Sequence, residues 1–410
     1  MVSPPGAQPG TPSARSSEAP TQVTLPRSLQ PGSAVSGASA VSGASVISAA
    51  SSRSAQSAPS AFNTAGANTQ VDGFQAAGAP AVSVPTSHPA PAMVNTIKDI
   101  YTRTTGIWQT VWLEPTPSAS ITRLDMTPDV AGGALRITVR GTGVSGQTVE
   151  AVAFDGTTQV GSVTGSVDGE LRIPVPNAKL WSPDSPFLYD LRVSLKSGGT
   201  VVDQVTSYFG MRSIGLKLVG GVLRPVLNGQ FVFQLGTLDQ GYWPDGIYTA
   251  PTDAALKFDI QKHKDLGFNL IRKHIKVEPQ RWFYWADKLG ILVWQDMPCM
   301  DSGRTPSTAA RTQFELEMRE MIDEHRNSPA IVTYVIQNEG WGQYDQARLA
   351  SLAKSWDSSR LVDNMSGINC CGSVDGGNGD LADWHVYQGP GAPAPSARRA
   401  SVLGEFGGLG

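Results

Sequence analysis

The chain has 410 residues, 40% of them hydrophobic, and 32 Lys and Arg nearly balance 35 Asp and Glu for a formal net charge of -3. That length is enough for two or three domains and a sizeable core. With no basic run in the sequence, there is no footprint for nucleic acid or for an anionic membrane.

The opening MVSPPGAQPGTPSARSSEAP has no apolar stretch of signal-peptide length, and no later segment approaches the roughly 18 apolar residues of a membrane span. Localisation therefore stays open, either cytoplasmic or secreted from a differently starting chain. Residues 1–95 are dominated by Ser, Ala, Gly, Pro and Thr. Such a composition cannot bury enough apolar area to offset the entropy of ordering, which predicts a disordered N-terminal tail.

The texture changes at Ile97, and IWQTVWL (107–113) alternates large apolar groups as a half-buried strand does. From 117 to 216 short alternating runs recur between Gly, Pro, Asp and Ser: ALRITVRG, TVEAVAFDG, ELRIPVPN, LYDLRVSLKSGG and TVVDQVTSYFGM. They predict an immunoglobulin-like β-sandwich. From 217 to 410 apolar runs alternate with amphipathic helical segments. FVFQLG reads as a first strand, followed by a helix over 252–266 capped by Thr252 or Asp253, and FNLIRKH as a second strand. PQRWFYWADKLG reads as a helix with Pro279 in its first turn and Gly290 ending it, and ILVWQDMP as a third strand. A helix over 308–326, the strand AIVTYVIQNE, a helix over 344–356 and the strands LVDN, ADWHVY and SVLGEF follow. This multidomain β plus α/β pattern is accounted for best by a sandwich followed by a (β/α)8 TIM barrel. Cys299, Cys370 and Cys371 lack metal-site spacing and make a poor disulfide framework, so they read as free thiols.

In a barrel the chemistry collects at the C-terminal ends of the strands. The residues falling there are Asp239, Arg272, His274, Asp296, Asn338, Glu339, His385 and Glu405. Two glutamates across one mouth are the minimum equipment for cleaving a glycosidic bond, one protonating the leaving oxygen while the other meets the sugar carbon. An amide beside the acid, Asn338, is placed to donate to a sugar hydroxyl. Asp239 fits either a sugar hydroxyl or its own loop, and Asp296 an ion pair with Arg272 or a lysine. His274 and His385 fit a sugar contact or a backbone-satisfied core equally well. Among the tryptophans, Trp341 is read as substrate-facing, and Trp243 and Trp384 as core or rim fillers as readily as stacking faces.

TTGIWQTVWLEP, NLIRKH, DKLGILVWQD, RNSPAIVTYVIQNEGWGQYD and VLGEFGGLG together resemble family 2 glycoside hydrolases, the β-galactosidase, β-glucuronidase and β-mannosidase group. The resemblance spans about 101–410 and implies a jelly-roll domain, an immunoglobulin-like sandwich and a retaining catalytic barrel. It implies Glu339 as acid/base and Glu405 as nucleophile, with Arg272, Asn338 and His385 shaping the sugar site. It implies a carbohydrate substrate, with no organic cofactor and no metal. Two positions depart from the family pattern: Tyr334 stands where a tryptophan is usual, and Ser328 where a histidine often is. Residues 96–116 match only the closing strand of the jelly roll. The match also stops just past Glu405, so the barrel is expected to lack its last units and to show open edges at strands one and seven. Two alternatives stay open: a non-catalytic carbohydrate-binding relic of such an enzyme, and a phosphate-binding barrel isomerase or lyase.

Overall fold

The computed structural model describes residues 107–111, 115–300, 304–389 and 391–407. The expected tail (1–95) and most of the expected jelly-roll strand lie outside the described residues. Seven strands come first: β1 (Ser120–Asp129), β2 (Ala134–Thr142), β3 (Thr148–Asp155), β4 (Thr158–Ser166), β5 (Glu170–Pro174), β6 (Tyr189–Ser197) and β7 (Thr200–Phe209). They form two antiparallel sheets, β1-β2-β5 and β4-β3-β6-β7. Strand alternation decides the core: Leu135, Ile137 and Val139 point inward at every second position and meet Val149, Ala151 and Val193 from the facing sheet. The predicted sandwich is therefore present.

Two further strands, β8 (Ile214–Val219) and β9 (Val222–Leu227), pair as a hairpin around Gly220-Gly221, and β10 (Gln230–Phe231) pairs back onto β9 around Asn228-Gly229. All four turn residues have positive φ, from 52° to 79°, as two-residue hairpin turns matched to strand twist require. This hairpin corrects the placement of the first barrel strand. Phe231 is taken up by β9, Phe233 is left exposed, and the first parallel strand, β11 (Gly236–Asp239), begins only where Gly236 meets Leu270.

The barrel units are β11, α1 (Asp253–Asp265), β12 (Leu270–Lys273), α2 (Gln280–Leu289), β13 (Leu292–Asp296), α3 (Thr308–His325), β14 (Ile331–Val335), α4 (Gln346–Trp356), β15 (Leu361–Asp363), β16 (Leu381–Val386) and β17 (Ala400–Phe406). Strands β11 to β15 form one parallel sheet in chain order, and β16 and β17 pair in parallel. Hydrogen bonds carry the wall from β15 to β16: Asp380 N–H donates to Val362 O at 2.7 Å and Ile368 N–H to Asp383 O at 2.9 Å. Among the described residues β11 and β17 each have a strand partner on one side only. Strands β12 to β15 are buried at every residue, as barrel wall must be when helices cover its outer face.

The helix ends follow from their local chemistry. Thr252 Oγ1 accepts from Ala255 N–H and Ser307 Oγ from Ala310 N–H, each closing an otherwise open N-terminal turn. Gly290 ends α2 in the left-handed region, at φ 78°, and the space for a side chain there is filled by Pro183 and Pro186 of the sandwich. The sandwich and barrel meet around buried polar groups. Trp181 Nε1 donates to Asp287 O, and the Arg212 guanidinium donates to the carbonyls of Pro329, Ser359 and Ile331 at 2.8 to 3.0 Å. No helix among the described residues is long and apolar enough to cross a membrane.

Candidate active site

The fourth strand was expected to run to Glu339, but regular pairing stops at Val335. Its backbone nevertheless stays tied to the segment after β15, because Ile336 N–H donates to Asp363 O, Ser366 N–H to Gln337 O and Glu339 N–H to Ser366 O. Glu339 itself sits at φ 48° and Gly340 at φ 75°. A left-handed backbone is uncommon for a glutamate and concentrates at functional sites. Here it turns the chain out of the wall just where the carboxylate enters the barrel mouth.

Glu405 reaches the same place from β17. A register shift between Trp384 and His385 sets His385 directly opposite Glu405 on the neighbouring strand. His385 Nδ1 lies 2.8 Å from Glu339 Oε1 and 3.6 Å from Glu405 Oε2, so one imidazole spans the two carboxyl groups. An oxygen of Glu339 and an oxygen of Glu405 lie within 4.8 Å of each other, and all three residues are buried.

Arg272, from β12, organises the other side. Its guanidinium donates to Glu405 Oε1 at 3.0 Å, to Asp296 Oδ2 at 2.8 Å and to Asn338 Oδ1 at 2.7 Å. Asp296 thus forms the expected ion pair with Arg272. Asn338 spends its carbonyl oxygen on Arg272, leaving its buried Nδ2 an N–H donor with no partner among the described residues. Burial pushes the Glu405 carboxyl up, but the neighbouring imidazole of His385, the Arg272 guanidinium and the imidazole of His274 outweigh it and hold the group below its usual range. For His385 the order of forces is reversed. Burial pulls the imidazole down, and the charge of Glu405, the contact with Glu339 and the charge of Asp383 carry it upward on balance.

The remaining sequence candidates separate. Asp239 accepts from Lys273 Nζ at 2.7 Å and from Gly241 N–H at 2.8 Å, which ties it to its own loop. Burial raises its carboxyl, and Lys273 more than offsets this, bringing it to about 2. Trp341 is buried in a small apolar cluster with Ile275 and Cys299, against which Tyr242 packs. His274 Nε2 lies 3.6 Å from Glu405 Oε1, at the site's edge.

The structure adds residues that the sequence reading did not single out. Tyr387, two positions beyond His385, donates its hydroxyl to Glu405 Oε2. Its place just past a strand end was the available signal. Ser366 and Asp383 lie beneath His385. The free-thiol reading holds for buried Cys299 and fails for Cys370 and Cys371, which are joined as a disulfide between neighbours. The positive φ of Cys371, 64°, folds the backbone so that adjacent side chains meet. Cys370 Sγ lies 3.7 Å from Glu339 Oε1. Among the described residues two groupings have atoms close enough to hold a metal ion, Glu339 with His385 and Glu405, and Glu339 with the two cysteines. The first is already closed by internal hydrogen bonds, and the second has its sulfurs joined.

The family model for Glycosyl hydrolases family 2 matches residues 109–212, and that for Glycosyl hydrolases family 2, TIM barrel domain, matches residues 250–375. A putative beta-glucuronidase of Formosa agariphila is 28% identical over 297 residues, covering 64% of this chain and 35% of the relative. A beta-galactosidase of Lactococcus lactis is 28% identical over 272 residues, covering 63% of this chain and 26% of the relative. Among solved structures, the beta-glucuronidase of Parabacteroides merdae superposes with a TM-score of 0.57 at 21% identity, over 66% of this chain and 36% of that one. The beta-galacturonidase of Eisenbergiella tayi gives 0.56 at 22% identity, over 67% of this chain and 51% of that one. The chain thus spans about a third or less of the length of these curated relatives.

Proposed function

The chain belongs to glycosyl hydrolases family 2, and from that premise we propose that it hydrolyses β-linked glycosides by double displacement, with Glu405 as nucleophile and Glu339 as acid/base. The observation that carries this reading is the approach of the two carboxyl groups, with an oxygen of each within 4.8 Å of the other. Carboxyl groups roughly 5 to 5.5 Å apart fit direct attack on the sugar, whereas an inverting pair stands about 6.5 to 9.5 Å apart to admit a water.

The charge distribution supports the division of labour. Glu405, held ionised by Arg272, attacks the anomeric carbon as Glu339 gives its proton to the leaving oxygen. The C–O bond to the aglycone breaks and a glycosyl ester forms on Glu405. Glu339, now a carboxylate, takes a proton from water, which attacks the same carbon and releases Glu405. The free Nδ2–H of Asn338 is a donor for a sugar hydroxyl, a contact that strengthens as positive charge grows at the anomeric carbon. No organic cofactor takes part.

The test compares the parent with Glu405→Gln and Glu339→Gln on a panel of aryl β-glycosides. Glu405→Gln should abolish turnover. Glu339→Gln should lose activity on substrates with basic leaving groups and recover part of it with added azide, which attacks the glycosyl-enzyme without needing a base. Unchanged hydrolysis in either variant would overturn the assignment.

A further inference from the structure

Behind the two carboxyl groups the hydrogen bonds continue into the barrel wall, through groups with no direct line to a bound sugar. His385 Nε2 lies 2.7 Å from Ser366 Oγ, and Ser366 Oγ–H donates to Asp383 Oδ2 at 2.5 Å. Asp383 Oδ1 accepts the N–H of Gly404, the residue before Glu405, at 2.5 Å. Asp383 and Ser366 are wholly buried, and His385 nearly so. The side-chain amide of Asn369 clamps the backbone of His385 from both sides, at 2.8 Å each. Gly367 leaves the room the ring needs, since a side chain there would come within 2.7 Å of Nδ1.

Donor and acceptor counting along this chain fixes where the protons sit. A serine hydroxyl has one proton, and here it goes to a carboxylate that can only accept. Both oxygens of Asp383 act as acceptors, Oδ2 from Ser366 and Oδ1 from the Gly404 N–H, while burial and then the charge of Asp383 push the neighbouring Asp363 carboxyl well up. Ser366 Oγ therefore presents a lone pair to His385, and Nε2 must carry a hydrogen. In the neutral ring Nδ1 is then bare, and the proton on the 2.8 Å contact with Glu339 Oε1 belongs to the carboxylic acid. That is the form a general acid needs.

We propose that Ser366 and Asp383 are positioning residues that fix the Nε2–H form of His385 and thereby keep a proton on the Glu339 side of the site for delivery to the leaving group. The inference deepens the glycosidase reading and rests on it for the kinetic arm of its test. The groups facing the imidazole are Glu339 from the end of β14, Glu405 from β17, Ser366 with Asp383 behind it, and the Arg272 charge from β12.

The test has a spectroscopic arm and a kinetic arm. Nitrogen-15 histidine spectra of the parent should show the His385 signals, assigned by their loss in His385→Gln, with Nε2 protonated. Ser366→Ala should move the ring towards the Nδ1–H form. A parent ring with Nε2 bare would overturn the proposal whatever the activity. Kinetically, Ser366→Ala and Asp383→Asn should lower kcat/KM roughly tenfold to a hundredfold on glycosides with basic leaving groups, within the range of general acid catalysis. They should leave dinitrophenyl glycosides, which need no proton, within about threefold. The alkaline limb of the pH profile should shift to lower pH, and Ser366→Thr should restore both readouts. Equal losses on both substrate classes would mark a merely structural role. If Glu339→Gln itself shows no leaving-group dependence, the acid/base assignment fails, while the tautomer measurement still decides the role of Ser366.

Discussion

Asp287 lies on α2 with its side chain fully buried where the sandwich meets the barrel. Its Oδ1 accepts Ser328 Oγ–H at 2.6 Å and Ala330 N–H at 2.9 Å, and its Oδ2 accepts the hydroxyl of Tyr208, on β7, at 2.7 Å. Burial pushes its carboxyl from 3.8 to about 7, against the pull of those hydrogen bonds and of the Arg360 charge. The folded value is above the unfolded one, so below about pH 4 both states are protonated and folding carries no cost. Between there and about pH 7 the unfolded chain releases a proton that the folded chain keeps, costing about 1.4 kcal/mol for each pH unit, or about 4 kcal/mol in all. Above pH 7 the cost stays level. Asp287→Asn keeps the shape, accepts from Ser328 and Ala330 through its one oxygen, and offers an N–H to the Tyr208 oxygen, but it cannot ionise. Urea unfolding of parent and variant across about pH 5 to 8 should therefore show the variant gaining on the parent by a few kcal/mol as pH rises to 7. Parallel stability curves, or a variant that loses ground with rising pH, would refute the reasoning.

Three further outcomes follow from single contacts. Arg212→Met removes three hydrogen bonds to backbone carbonyls at the same junction, leaving buried Pro329 O without this donor while Ile331 O keeps Arg360 Nε, and should cost about 3 kcal/mol, read as a lower urea midpoint. Tyr387→Phe removes the hydroxyl donor to Glu405 and should reduce kcat/KM on an aryl β-glycoside about tenfold or more while the far-ultraviolet circular dichroism stays that of the parent. Gly404→Ala would place a methyl 2.1 Å from Asp383 Oδ2, so a loss of about 1 to 3 kcal/mol should appear as a lower Tm, and an unchanged Tm would mean the carboxylate moves aside freely.

Much of the architecture is legible in local pattern because each signal is decided within a few residues. Alternation in ALRITVRG, the apolar openings of β12 to β14, Thr252 as a cap and Gly290 as a stop act through neighbours in the chain. The misplaced first strand shows the limit. FVFQLG is apolar enough for a strand, but whether Phe231 joins a hairpin or the barrel depends on β9, and the sequence pattern of 231–236 alone carries no trace of that choice. Glu339 and Glu405 were legible too, as carboxylates ending apolar strands.

What the sequence determined by itself is the set of candidate site groups and the order of the strands that bear them, since residue identity and hydrophobic period are properties of the chain. What only the tertiary structure decided is who faces whom. Glu339, Ser366, Asp383, His385 and Glu405 come from four separate stretches, and their contacts depend on parallel registers, on the shift at Trp384 and His385, and on a left-handed turn at Glu339. A one-residue slip of β16 against β17 would leave the composition and the motifs untouched and turn His385 away from both carboxylates, because side chains alternate across a strand.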